Sequence, residues 1–181
     1  MKKRIFIAIH YLEIGGAEIS LIGLLRCLDY SLYDVDLMVY SHQGELMKYI
    51  PKEVNLLPEI QAYAYMERPM KETLQAGQVG TLIGRLIGRM KYEHYLKKTN
   101  KSSCRSIFQY IMNGVEPFLP SLKDLGTYHL AISFLTPHNV VLRKVNALKK
   151  ICWIHTDYSK ISINKDLEYP IWKGFDQIIS I

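Results

Sequence analysis

A chain of 181 residues, 49% hydrophobic and 22% charged, has the size and composition of one globular domain, neither disordered nor fibrous. Its 23 basic and 17 acidic residues leave a formal charge of +6, which suits anionic partners such as phosphates, nucleic acid or acidic lipid without choosing among them. Three widely spaced cysteines, Cys27, Cys104 and Cys152, form no C-x-x-C pair; this excludes a disulfide scaffold, argues against structural zinc and makes a reducing cytoplasm the default setting.

Met1-Lys2-Lys3-Arg4 leads into the apolar run Ile5–Ile9, which looks like the start of a signal peptide. His10 and Glu13 end that run after five residues, short of the roughly 7–15 that a signal core needs. The run reads instead as a strand covered on both faces, because it is β-branched and does not alternate. Gly15-Gly16 then breaks the pattern, and Ala17, Leu21, Leu24, Leu25 and Leu28 follow at helical spacing. Val35–Tyr40 reads as a second strand, a weak helix follows, and Val54–Leu57 reads as a short third strand.

From Thr73 to about Lys98 the spacing predicts one long helix with Val79, Leu82, Ile83, Leu86, Ile87 and Met90 on its core face. Arg85, Arg89, Lys91, Lys97, Lys98, Lys101 and Arg105 add seven positive charges against the single acid Glu93. Such a helix either covers a core with a solvated basic face or lies on an anionic membrane. Ser106–Asn113 reads as a helix, Leu130–Phe134 as a strand, Asn139–Ala147 as a helix and Lys150–His155 as a strand. A short helix around Tyr169–Gly174 leads to a last strand, Gln177–Ile181. The alternation predicts an α/β fold with a Rossmann-like, doubly wound, mostly parallel sheet over residues 1–181. The end within QIISI, inside a strand, leads us to expect a piece of something longer.

Three segments carry candidate chemistry. At His10–Glu18 (HYLEIGGAE), two glycines between a first strand and its helix let a phosphate approach the helix N-terminus. The alternative is that they merely serve a tight turn. The spacing is not G-x-G-x-x-G, and Tyr40-Ser41-His42 has no acid to hold an adenosine ribose, so a dinucleotide oxidoreductase is disfavoured. In Trp153–Tyr158 (WIHTDY), His155 falls at a strand end, where ligands of open α/β sheets bind. Its imidazole suits a sugar hydroxyl or a leaving phosphate; Asp157 is either an acid or base, or a cap. In Ser133–Asn139, Thr136 and His138 again fall at a strand end, and Asn139 is a candidate helix N-cap. There is no Walker-type loop, no G-x-S-x-G elbow, no H-x-x-x-H pair and no nucleic-acid motif, so the residues point to no metal and to no nucleic acid.

The order and spacing of IGGAEISLIGLLRCLD, YDVDLMVYSHQGEL, YHLAISF, KKICWIHTDY and FDQIISI resembles the N-terminal half of bacterial glycosyltransferases of family 4. The resemblance covers most of the chain outside about residues 60–110. It implies a GT-B architecture, two Rossmann-like domains facing a cleft, with this chain on the acceptor side. It further implies retaining, metal-independent transfer of a hexosyl unit from a nucleotide diphosphate sugar to a glycan or lipid-linked acceptor. No cofactor is implied beyond that co-substrate. By motif match, Gly15 and Gly16 lie on the diphosphate side and His155 contacts the donor sugar. Glu18 belongs to the same motif, and Thr136 and Asp157 join the candidate binding residues at the strand ends. The donor-binding C-terminal domain of that family carries a pair of glutamates separated by seven residues; no second Rossmann-like domain, and no such pair beyond the last sheet strand, is found in this sequence, so residues 1–181 alone are expected to transfer no sugar. Two other readings stay open: a non-catalytic nucleotide- or phosphate-binding module of flavodoxin type, and a peripheral membrane adaptor using the basic helix.

Overall fold

The computed structural model describes residues 1–180. The first strand, β1 (Lys3–Ile9), sends Phe6 and Ala8 into one core and Ile5, Ile7 and Ile9 into another. Two covered faces explain why its sequence does not alternate. Helix α1 (Gly16–Cys27) returns along the second of these cores, burying Leu21, Ile22 and Leu25. β2 (Tyr33–Val39) then pairs parallel to β1, from Lys3 opposite Tyr33 to Ile9 opposite Val39. The weak helix expected next is a 3₁₀ turn at Glu45–Tyr49, and β3 shrinks to Asn55–Leu56.

The middle segment departs from the sequence reading. A short α2 (Gln61–Ala64) comes first, and the one long helix expected from Thr73 is divided between α3 (Met70–Gln75) and α4 (Val79–Thr99). Gly77, at φ +70°, makes the break before α4 in a backbone region that favours glycine. α4 also faces the other way. Thr81, Gly84, Gly88 and Tyr92 are its buried residues, whereas Val79, Ile83, Leu86, Ile87 and Met90 are 38–68% exposed. The reason lies in α5 (Ile107–Val115), whose Gly114 meets Gly84 and Gly88 so closely that a Cβ on Gly84 would lie 2.6 Å from the Gly114 oxygen. Backbone-to-backbone packing needs the glycine side inward, and the apolar stripe is left outside. Arg85 is half-buried rather than solvated, its guanidinium donating to the carbonyl of Arg68.

The regular rhythm resumes at β4 (Thr127–Ser133). The helix expected to reach Ala147 stops early as α6 (Asn139–Lys144), because β5 (Asn146–Ile154) begins where Asn146 and Ala147 pair with Thr127 and Tyr128. Strand pairing overrides local helix preference there. α7 (Lys165–Trp172) starts four residues earlier than its apolar spacing suggests, with Asn164 as a cap whose side chain accepts from the Asp166 N–H. β6 (Gln177–Ser180) closes the sheet; Ile181 lies outside the described residues.

All six strands are parallel, in the order β3-β2-β1-β4-β5-β6. The fold is therefore α/β, Rossmann-like and doubly wound. α1 covers one face, and α5, α6 and α7 cover the other. Near the entry end of the sheet, Asp36 ties four strands together. One carboxylate oxygen accepts from Arg4 at 3.1 Å and from the Tyr128 hydroxyl at 2.6 Å; the other accepts from Asn55 at 2.7 Å. Strand order reverses between β1 and β4, so the crevice at their carboxyl ends is the favoured ligand position. No helix among the described residues is long and apolar enough to cross a membrane.

Candidate functional site

The residues singled out from sequence gather along this carboxyl edge. The chain leaves β1 through His10, and the loop is pinned by the Leu12 N–H to Gln43 and by the Leu46 N–H back to Leu12, both at 2.9 Å. Gly15 is the N-cap of α1, with extended backbone that any residue adopts (φ −151°), so turn geometry does not demand these two glycines. A Cβ on Gly16 would meet nothing within 4 Å, whereas one on Gly15 would strike the Glu18 carboxylate. The first intrahelical bond runs from the Ile19 N–H to the Gly15 carbonyl at 2.9 Å. The N–H groups of Gly16, Ala17 and Glu18 are thus the free donors of a helix start, at its positive dipole end. Open space over Gly16 lets an anion reach them. Glu18, buried and folded toward Gly15, brings a negative charge to the same place and limits an anion to the Gly16 side.

His155 stands immediately beyond β5, as the spacing predicted. Its ring lies 4.7 Å from that of Phe134 and is stacked on Trp153 at 6.0 Å. Partial burial lowers its pKa, against the opposing pull of the nearby Glu18 charge, so the imidazole is neutral at pH 7. Its Nε2 is buried with no hydrogen-bond partner among the described residues. A neutral ring with an unpartnered nitrogen is suited to a hydroxyl of a ligand.

Thr136 and His138 belong to a network at the end of β4. The Nδ1 of His138 is 2.8 Å from the Ser133 hydroxyl, and its Nε2 is 3.3 Å from Thr136 Oγ1, which in turn lies 3.2 Å from the Tyr158 hydroxyl. Burial, with the neighbouring His155 adding to it, pushes the His138 imidazole down to about 3. Asn139 is not the cap expected from sequence: α6 starts at Asn139 itself, His138 precedes it, and no side chain caps the helix. The amide of Asn139 is instead fully buried, with neither its oxygen nor its nitrogen partnered among the described residues.

Beside this network opens a cavity of about 260 Å³, lined by Thr136, Thr156, Tyr158, Arg105, Phe108 and Glu168. Glu168 is only 2% exposed, and its Oε2 has no hydrogen-bond partner among the described residues. Burial raises its pKa, a shift that the Ser106 hydroxyl opposes. Asp157 points elsewhere: it is exposed and engaged by the Ser159 N–H at 3.0 Å, the Ser159 hydroxyl, and Lys160 at 3.3 Å. A second cavity of about 300 Å³ lies at the ends of β1 and β2, lined by His10, Ser41, Gln43, Glu67 and Arg68. There His10 Nε2 sits 3.4 Å from Glu67, yet burial holds the imidazole down to about 4, so the contact carries no ion pair at neutral pH.

The structure thus brings Gly15, Gly16, Glu18 and His155 to one stretch of the crevice and Thr136 to the adjoining cavity, and leaves Asp157 in a solvent-exposed turn. Sequence reasoning missed Glu168, Arg105 and Tyr158 as cavity residues. For Glu168 a signal existed, an acid three residues before Ile171 and so on the buried face of the same short helix. Among the described residues no three His, Cys, Asp or Glu side chains cluster as metal ligands. No family model, curated protein or solved structure matches the chain.

Proposed function

We propose that residues 1–181 are the acceptor-side half of a retaining glycosyltransferase that moves a hexosyl unit from a nucleotide diphosphate sugar to a glycan or lipid-linked acceptor. In this reading a second domain supplies the donor pocket, and the enzyme works in the cytoplasm at the inner face of a membrane. The observation that carries the proposal is the pairing, at the strand-order reversal, of a helix start open over Gly16 with the unpartnered imidazole of His155.

The roles follow from the chemistry. The free N–H groups at the start of α1 stabilise charge on the departing diphosphate. Because Glu18 occupies the Gly15 side, the diphosphate lies over Gly16 and draws its remaining neutralisation from cations of the second domain. Neutral His155 holds a hydroxyl of the donor sugar. The acceptor enters through the cavity of Thr136, Tyr158 and Glu168, with its polar groups placed for a polyol. As the acceptor oxygen bonds to the anomeric carbon, the bond from that carbon to the diphosphate oxygen breaks. The acceptor proton leaves with the phosphate.

In the intact enzyme, His155→Ala and Gly16→Val are each expected to lower transfer roughly hundredfold. Gly16→Val should leave the melting temperature unchanged, since the Gly16 Cβ position is empty; His155→Ala also removes a ring packed on Phe134 and Trp153, so its activity is compared at equal concentrations of folded protein. Activity unaltered by both substitutions removes these residues from the site. Residues 1–181 alone should not turn over UDP- or GDP-hexoses, and turnover by this fragment would refute the two-domain assignment.

A further inference from the structure

The cavity of about 300 Å³ at the ends of β1 and β2 has no part in the reaction proposed above. One wall is made by the paired strand ends. Tyr40 and Ser41 donate their N–H groups to the carbonyls of Ile9 and His10 at 3.0 and 2.9 Å, which fixes His10 and Ser41 side by side. The other wall is the turn between α2 and α3, which carries Glu67 and Arg68. Wholly buried Thr73 pins this turn by donating its hydroxyl to the Pro69 carbonyl at 3.1 Å. Arg85 reaches across from α4 to the Arg68 carbonyl and the Thr73 hydroxyl. The fold thus sets the shape of the cavity before any ligand arrives.

The lining mixes donors with acceptors. Glu67 brings carboxylate oxygens, Gln43 an amide, and His10 an imidazole that is neutral at pH 7. The Arg68 guanidinium lies 4.9 Å over the Tyr65 ring and 3.4 Å from the Ser41 hydroxyl. Its Nε is buried with no hydrogen-bond partner among the described residues. Tyr11, 38% exposed, adds an aromatic ring 5.3 Å from that of His10. Glu67 and Glu72 against Arg68 leave this lining one net negative charge, although the chain as a whole is at +6. That balance disfavours a phosphate. An ammonium needs acceptors alone and would meet the guanidinium. Vicinal hydroxyls both donate and accept, and match a carboxylate, a guanidinium and an amide together. The Tyr11 ring suits the C–H face of a pyranose. We propose that this cavity is a binding site for one neutral sugar ring, on the β2 side of the crevice and with neither Gly16 nor His155 in its lining. Its volume is at the small end for ligand cavities, as a single ring requires. The inference holds whether or not the transfer reaction above is correct.

The test titrates residues 1–181 at pH 7 with methyl glycosides of glucose, galactose, mannose and N-acetylglucosamine, reading the ring protons of His10 and Tyr11 by NMR. At least one glycoside is expected to saturate these signals with a millimolar dissociation constant. Glu67→Gln and Gln43→Ala should each weaken that binding about fivefold, and Tyr11→Ala, read at His10, also about fivefold. All three side chains are exposed, so circular dichroism and melting should not change, and a lost fold is separated from lost binding. Inorganic phosphate and ethanolamine should shift the same signals far more weakly. No response to any glycoside at up to about 50 mM overturns the proposal, as does binding that all three substitutions leave unchanged. Tighter binding of ethanolamine or of phosphate would assign the cavity to a charged ligand and overturn it likewise.

Discussion

His138 is wholly buried between the Ser133 and Thr136 hydroxyls, and its environment sets a pH dependence. In the unfolded chain its imidazole binds a proton near 6.5, but in the folded chain only near 3. The unfolded state therefore takes up the proton first as pH falls. Folding stability attached to His138 is full above about 6.5 and is lost progressively toward 3, by at most about 1.4 kcal/mol per pH unit. His10, held down to about 4 by burial, adds to the loss over the upper part of that range. Urea unfolding of the wild type at pH 7, 6 and 5 should show this decline, and His138→Gln should flatten it. A slope unchanged by the substitution would mean that His138 is not the group being protonated. Glu168 and Asn139 pose the complementary residue-scale observation: both are buried with polar atoms unpaired. Such atoms are costly to keep, and their position beside the strand ends is consistent with a polar ligand entering there.

At the scale of the element, the contact between α4 and α5 is decided by glycine. A Cβ on Gly84 would lie 2.6 Å from both the Gly114 oxygen and the Val115 Cα, and one on Gly88 would lie 2.5 Å from the Tyr110 oxygen. These are backbone atoms, which cannot rotate away. Gly84→Val should therefore force the helices apart and lower stability by about 3 kcal/mol in urea unfolding. Gly23, inside α1 and with nothing within 4 Å of its Cβ position, provides the contrast: Gly23→Ala should stabilise by roughly 0.5–1 kcal/mol. Equal effects from the two substitutions would show that close helix approach is not what holds α4 in place. The same geometry accounts for the outward apolar stripe, because a helix cannot turn both its glycine groove and its isoleucines toward one neighbour.

At the scale of the whole molecule, two cores share one sheet. Trp153 packs against the core that contains Ile7, Leu21 and Phe134, and Trp172 packs against the one that contains Phe6, Met112 and Val140. These are the only two tryptophans in the chain, so each face carries its own fluorescent reporter. The central strands contribute to both cores, and loss of one face removes support from the other. Unfolding followed in Trp153→Phe and in Trp172→Phe should give coincident transitions once each variant is referred to its own circular dichroism curve. Separated midpoints would show that the faces unfold independently.

Short-range pattern carried much of this protein. Apolar runs without alternation marked strands covered on both faces, and alternation of strand with helix implied a parallel, doubly wound sheet. The Gly15-Gly16 turn and His155 were legible because strand ends are local features and the carboxyl edge of such a sheet gathers them. Other features depended on a partner distant in sequence. The inner face of α4 is set by Gly114, far along the chain, and hydrophobic period alone pointed to the wrong side. The end of α6 is set by pairing of Asn146 with Thr127, against a local run that continues as helix. Glu168 becomes a cavity residue only when α7 is laid beside β4 and β5. Periodicity records how much of an element is apolar; which side is buried depends on the shape of the surface it meets, and only the folded chain contains that surface.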